Sequence, residues 1–393
     1  MHSGRLFSRL PWAVILPAAL LMAIGLAGIA RCDATAETGG RFFSRQLVWS
    51  ALGWLTIVAA AMPPYHVVSR HAYWLYALSI VLLLAVYYFP AINGARRWIR
   101  IGGVGIQPSE FAKIAYIIAL SRYLQGRDHV HRVCGVFMPA VLTLIPVVLI
   151  LREPDLGTAI VFLPVLVLML FSAGAPRRSL AALVVVGLLA MPVLWAQMSR
   201  EQRSRVTALF DQAGPGEPAI GDGYQLRQAK QMIALGRVWG SFWLGPAVDD
   251  PAAYRLPEAQ SDFIFCVIGE RYGLAGLALV LALYGWLVWQ AARAGLATLD
   301  PFGRMLCFGV GALLGVQVLV NTGMSVGLLP VTGLSLPLVS YGGSGIVSQA
   351  LAIGLLVNVA LRPGFEIAHE PFCYTRPKRH ARLTGFFRRR AAA

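Results

Sequence analysis

Apolar residues in this chain come in long blocks separated by short polar joints, not in the short periods of a soluble helix or strand. Ten blocks approach the length needed to cross the ~30 Å of hydrocarbon in a bilayer. They lie near Trp12–Ala30, Leu47–Met62, Ala72–Phe89, Ser109–Leu124, Val136–Leu151, Gly157–Ala173, Leu180–Met198, Asp262–Trp289, Met305–Val326 and Ile346–Leu361. The pattern predicts an all-α, polytopic membrane protein with about ten transmembrane helices. Arg5 and Arg9 precede the first block as in a signal peptide, but its length and the lack of a small-residue cleavage pattern before Cys32 favour an uncleaved anchor. The expected organisation is a membrane domain over 1–362, with a large outer loop at 199–261, followed by a basic tail at 363–393.

Composition agrees with the pattern. Of 393 residues, 57% are hydrophobic and 13% charged, more apolar surface than a soluble core of this size can hide. The net charge of +16 collects where Lys and Arg mark cytoplasmic segments: the tail with Arg376, Lys378, Arg379, Arg382 and Arg388 to Arg390, and the joints holding Arg70, Arg122/Arg127/Arg132, Arg177/Arg178 and Arg293/Arg304. With ten spans, both termini are then cytoplasmic and Asp262 faces outward. This charge fits contact with anionic lipid and not nucleic acid. Five cysteines without CxxC spacing indicate neither a disulfide framework nor a zinc site. No HExxH, P-loop or dinucleotide fingerprint is present, which argues against nucleotide-driven transport.

Candidate chemistry sits at the outer joints. Asp262, in LPEAQSDFIF, is a carboxylate at a membrane boundary, a placement that costs free energy unless the group is paired or used. Its structural alternative is an N-cap of the eighth helix. The segment NGARRWIRIGGVGIQPSE carries Arg96, Arg97 and Arg100 on the side where cations are disfavoured. Either they snorkel to headgroups or they bind an anionic, lipid-linked diphosphate. Glu110 and Lys113 form either an ion pair on one helix face or part of a polar cavity. In REPDLGTA, Asp155 caps the sixth helix or joins the same cavity with Arg152 and Glu153. The glycine- and proline-rich run from Gly327 to Gly345 cannot be a regular spanning helix, and irregular backbone at that depth must be buried in protein or line a cavity. Its Ser340, Tyr341 and Ser344 would offer hydrogen bonds to a sugar or phosphate. In the long loop, Tyr224 to Leu235 reads as an amphipathic helix on the membrane surface.

ARRWIRIGGVGIQPSEFAK, REPDLGTA, GYQLRQAKQMIALG, LPEAQSDFIF and VNTGMSVGLLPVTGLSLPLVSYGGSG, in this order across about Leu47 to Arg362, resemble the SEDS family of rod-shape and cell-division proteins. The resemblance implies a peptidoglycan glycosyltransferase that polymerises lipid II at the outer face of the bacterial cytoplasmic membrane. It implies a class B penicillin-binding protein as partner, within the elongation or division machinery. Asp262 falls on the family's essential acidic position, Glu110 and Lys113 on its PSE-x-x-K motif, and Asp155 on its PDLGT aspartate. One stretch departs: 236–254 reads GRVWGSFWLGPAVDDPAAY where family members carry a glycine-rich run. The expected reaction has Asp262 take the proton of an acceptor sugar hydroxyl while Arg97, Arg100 and Lys113, or a magnesium or manganese ion, stabilise the leaving diphosphate. A lipid-precursor flippase and a non-catalytic scaffold are the competing readings.

Overall fold

The computed structural model describes residues 10–36, 40–91, 96–102, 104–126, 133–210, 222–248 and 256–363. The basic tail, Asp249 and Asp250, and Arg127 and Arg132 lie outside the described residues. The helices are α1 (Trp12–Ala36), α2 (Arg41–Ala61), α3 (Tyr65–Arg70), α4 (Ala72–Val86), α5 (Pro108–Leu124), α6 (Phe137–Arg152), α7 (Leu156–Ser172), α8 (Arg177–Gln197), α9 (Arg200–Phe210), α10 (Asp222–Gly236), α11 (Ser241–Leu244), α12 (Ile264–Ala297), α13 (Pro301–Val326) and α14 (Gly343–Leu361). Each of the ten apolar blocks falls on one of them. By length and composition α1, α12, α13 and α14 suffice to cross a membrane, while α4, α6 and α7 are shorter apolar helices. The sequence did not foreshadow a small hairpin of β1 (Ile99–Ile101) and β2 (Val104–Ile106), paired antiparallel.

The bundle is built around α13 and α14, whose inward faces are almost wholly buried. Apolar burial alone gives little preference among helices in lipid, so polar contacts help to set their arrangement. Asn358 donates to the carbonyls of Ala60 and Pro63, fastening α14 to the end of α2. Tyr76 donates to the Leu142 carbonyl, tying α4 to α6.

Helix α12 breaks at Gly273 (φ 64°). The break frees the amides of Leu274 and Ala275, which donate to the carbonyls of Arg237 and Val238 just after α10. Thus the segment that departs from the family pattern completes the hydrogen bonding of a kinked span. Helix α10 corrects an expectation. Its Leu226, Ala229 and Met232 are buried against α12 and α13, so its apolar stripe packs on protein.

Residues 327–342 form no helix, and Val331, Leu334, Leu336, Leu338 and Val339 pack into the interior. Close approach of the α7 start makes this possible: a Cβ on Gly157 would lie 2.3 Å from the Thr332 carbonyl oxygen. That oxygen is backbone and cannot swing away. Gly157→Ala is expected to cost about 1–3 kcal/mol through overpacking, seen as a lowered thermal unfolding midpoint of the detergent-solubilised protein.

Candidate active site

The starts of α2, α5, α7, α12 and α14 meet at one end of the bundle and enclose a cavity of about 950 Å³. Its wall includes Phe42, Arg97, Trp98, Gln107, Glu110, Gln202, Arg205, Glu258, Asp262 and much of 333–342. All the segments assigned to the outer side from charge distribution thus face one space.

Asp262 stands in the turn before α12, and Phe263, not Asp262, occupies the N-cap position. The capping alternative therefore fails, because the chain takes one more residue to enter the helix. The turn is held from both sides. Asn321 of α13 donates to the Asp262 carbonyl at 2.8 Å and to the Leu334 carbonyl at 2.7 Å, and the Tyr341 amide donates to the Gln260 carbonyl at 2.8 Å. Loop 327–342 and the Asp262 turn are one unit. Gly333 (φ 70°) lies beside the carboxylate, where a Cβ would be 3.4 Å from Asp262 Oδ2 and 3.7 Å from Arg205 Nη1. Desolvation pushes the Asp262 carboxyl up from 3.8 to about 6; nearby Glu258 adds to the rise, while Arg205 opposes it. The result is a carboxylate charged at neutral pH yet basic enough to accept a proton.

The other expected residues divide. Arg97, Glu110, Ser340 and Tyr341 share the cavity with Asp262. Arg97 is anchored by donating to the carbonyls of Glu153 (3.0 Å) and Pro154. Lys113 is not in the cavity wall: it is 1% exposed, and its Nζ donates to Glu110 Oε1 at 2.7 Å. Ser348 donates to the other oxygen of Glu110. The ion pair expected on one helix face is present, and it holds Glu110 at the cavity floor. Asp155 is also behind the wall. It caps α7 by accepting from the amide and hydroxyl of Thr158 and from Gln107 Nε2. Ser344 accepts from the Gln107 amide and donates to the Gly105 carbonyl, so it locks the hairpin to α14. Arg100 lines a neighbouring groove instead.

Sequence reasoning missed Arg205 and Gln202 as site residues. Both lie on α9, inside the long loop, and the only signal was a basic cluster, Arg200, Arg203 and Arg205, with nothing to say which member turns inward. It also passed over Glu258, four residues before Asp262 in a motif already quoted.

Glu153 is fully buried, and neither carboxyl oxygen has a hydrogen-bond partner among the described residues. Burial first, then Asp155, pushes it up from 4.5 to about 8, with Arg97 opposing. A carboxyl whose folded value is raised holds its proton in the native state while the unfolded chain releases it. Stability therefore falls as pH climbs from about 4.5 to about 8. Glu153→Gln is expected to match wild type in thermal stability near pH 5 and exceed it at pH 8 to 9.

Among the described residues, no group of three or more His, Cys, Asp or Glu side chains is placed to hold a metal ion.

The profile of the cell cycle protein family that groups FtsW, RodA and SpoVE matches residues 8–363. The chain is 36% identical over 332 residues to a probable peptidoglycan glycosyltransferase FtsW of Geobacter metallireducens, covering 82% of this chain and 86% of that one. It is 36% identical to the peptidoglycan glycosyltransferase MrdB of Escherichia coli K12, over 80% and 84% of the two chains. Among solved structures it resembles a chain from a peptidoglycan synthase complex studied for its coordination of polymerisation and crosslinking. That match has a TM-score of 0.77 and 31% identity, covering 91% of this chain and 99% of that one. The rod shape determining protein RodA of Thermus thermophilus matches with a TM-score of 0.68 and 30% identity, over 91% and 98%. Shared sequence over nearly the whole described bundle, together with a shared fold, makes this chain a multi-pass membrane protein of the SEDS family.

Proposed function

We propose that the chain is a peptidoglycan glycosyltransferase that polymerises lipid II at the outer face of the bacterial cytoplasmic membrane, with both termini cytoplasmic. The observation that carries this reading is Asp262, a carboxylate raised to about 6 in the wall of a polar cavity at one end of a membrane bundle. The curated relatives named glycosyltransferases supply the reaction class. In the transfer, the acceptor sugar's 4-hydroxyl attacks the anomeric carbon of a lipid-linked donor. Asp262 takes the hydroxyl proton as the new C–O bond forms, and the bond from the anomeric carbon to the diphosphate oxygen breaks. Charge then develops on the leaving diphosphate, within reach of guanidiniums in the same wall, Arg97 and Arg205. Glu110, Ser340 and Tyr341 bind the sugars; Lys113, Asp155 and Ser344 act indirectly, by holding Glu110, α7 and the hairpin in place. A magnesium or manganese ion would arrive on the substrate's diphosphate. The synthase-complex likeness supports a transpeptidase of the class B penicillin-binding type as partner.

The neighbours of Asp262 give opposite pH effects. Arg205→Gln removes a cation that favours the charged form, so the acid limb of kcat/KM moves to higher pH. Glu258→Gln removes an anion that disfavours it, so the limb moves lower.

The reading is tested with purified protein in liposomes containing lipid II and a candidate transpeptidase. Muramidase-sensitive glycan strands support it. Lipid II that crosses the bilayer without being polymerised assigns the chain to transport instead.

A further inference from the structure

The break at Gly273 makes residues 264–272 a short helix of their own, with the Asp262 turn at one end and the hinge at the other. The hydrogen-bond ladder of α12 cannot brace this piece across the break, because the amides of Leu274 and Ala275 donate to Arg237 and Val238 instead. Bracing comes from the C-terminal end of α1. Arg31 reaches Glu270 through two hydrogen bonds, Nε to Oε2 at 3.4 Å and Nη2 to Oε1 at 3.2 Å. Glu270 is buried, so this pair is screened less than one in bulk water. Gly28, on the same face of α1 one turn earlier, lets the two helices close up: a Cβ there would stand 3.0 Å from Ile264 Cδ1.

Asp33, two residues further on, lies on a different side of α1 and serves a different wall of the site. Its carboxylate accepts the amides of Phe42 at 3.3 Å and Phe43 at 2.8 Å, two of the donors that the first turn of α2 cannot satisfy internally. Phe42 lines the cavity and meets Tyr341 edge to face, with ring centroids 5.1 Å apart. The Tyr341 amide in turn donates to the carbonyl of Gln260, two residues before Asp262. The end of α1 thus touches both structures that carry the Asp262 turn, one through a charge pair and the other through a cap. None of Arg31, Asp33 and Glu270 lines the cavity itself.

We infer that the C-terminal end of α1 is a positioning element for the base: the Arg31–Glu270 pair fixes residues 264–272 against the hinge and so sets where the Asp262 carboxylate stands in the cavity. The inference rests on the glycosyltransferase reading. A general base must meet its hydroxyl within hydrogen-bond reach, and a displacement of about 1 Å can cost about a hundredfold in rate. A short helix free to pivot at Gly273 would supply such a displacement. Arginine suits the task because its guanidinium gives one carboxylate two donors in a fixed fork, which sets direction as well as distance. Arg31 and Glu270 are therefore positioning residues, acting on the reaction only through the helix that Asp262 precedes.

Hydrogen exchange, read by mass spectrometry on the detergent-solubilised full chain, tests the brace without substrate, and initial rates on lipid II with the candidate transpeptidase test its consequence. Arg31→Gln is expected to speed exchange across 258–272 and to leave α13 and α14 at wild-type rates. It is expected to lower kcat at least about tenfold, with KM and the acid limb near pH 6 unchanged, because the charges acting on Asp262 are Glu258, Arg205 and Asp155. Arg31→Lys should recover part of both effects. Arg31→Gln/Glu270→Gln removes the carboxylate that the single variant leaves uncompensated, so the melting temperature returns toward wild type while exchange stays fast and kcat stays low. A folded Arg31→Gln with wild-type exchange and kcat overturns the inference, as does a double variant whose kcat recovers in full with its stability. Exchange that depends on Arg31 in a protein whose wild type makes no polymer would leave the brace standing and remove the glycosyltransferase reading.

Discussion

Asp262→Asn is expected to lower glycan polymerisation by roughly 10²- to 10⁴-fold, the range that a positioned general base contributes, while leaving lipid binding and thermal stability near wild type. The side chain of Asp262 caps nothing, and its backbone carbonyl, which Asn321 holds at 2.8 Å, survives the substitution. Asparagine has nearly the same shape but cannot accept the hydroxyl proton. Initial rates on lipid II and melting curves on the same preparations check both halves. A variant that unfolds with its activity would show a structural carboxylate, and one that keeps its rate would remove Asp262 from the chemistry.

The second large effect belongs to Lys113. Buried at 1% exposure, it pairs with Glu110 at 2.7 Å. Lys113→Met leaves the Glu110 carboxylate buried without its cation, and breaking such a pair from one side costs about 3–5 kcal/mol. Glu110→Gln/Lys113→Met removes both charges and is expected to restore much of the stability, because neither partner is then left uncompensated. Activity should not return with it, since Glu110 lines the cavity. Melting temperature and polymerisation rate, read on both variants, separate the two roles. A double variant as unstable as the single one would contradict the pairing account.

The spans were legible because transfer into hydrocarbon selects long apolar runs, and that signal is local. Loop 327–342 was legible as non-helical for a similar reason, its glycines and prolines. Which polar residues meet is not a local property. Asp262 and Glu110 read as cavity residues and are. Asp155 and Lys113 carried the same signals, a charge beside an apolar run, but one caps α7 and the other sits behind Glu110. Only their neighbours, Thr158 and Glu110, distinguish capping and pairing from substrate contact. The hairpin at 99–106 has three residues per strand, too short for a period-2 pattern to register, and without it the split between Arg97 and Arg100 was invisible. Arg205 reaches the site from a helix whose position depends on tertiary packing alone.

The pH dependence of kcat/KM for lipid II polymerisation by the wild-type chain bears most directly on Asp262 as the base. With its carboxyl raised to about 6, the rate is predicted to be flat near pH 7 to 8 and to fall about tenfold per unit once below the limb centred near pH 6. A profile that stays level down to pH 5, from a protein still folded there, would contradict the assignment.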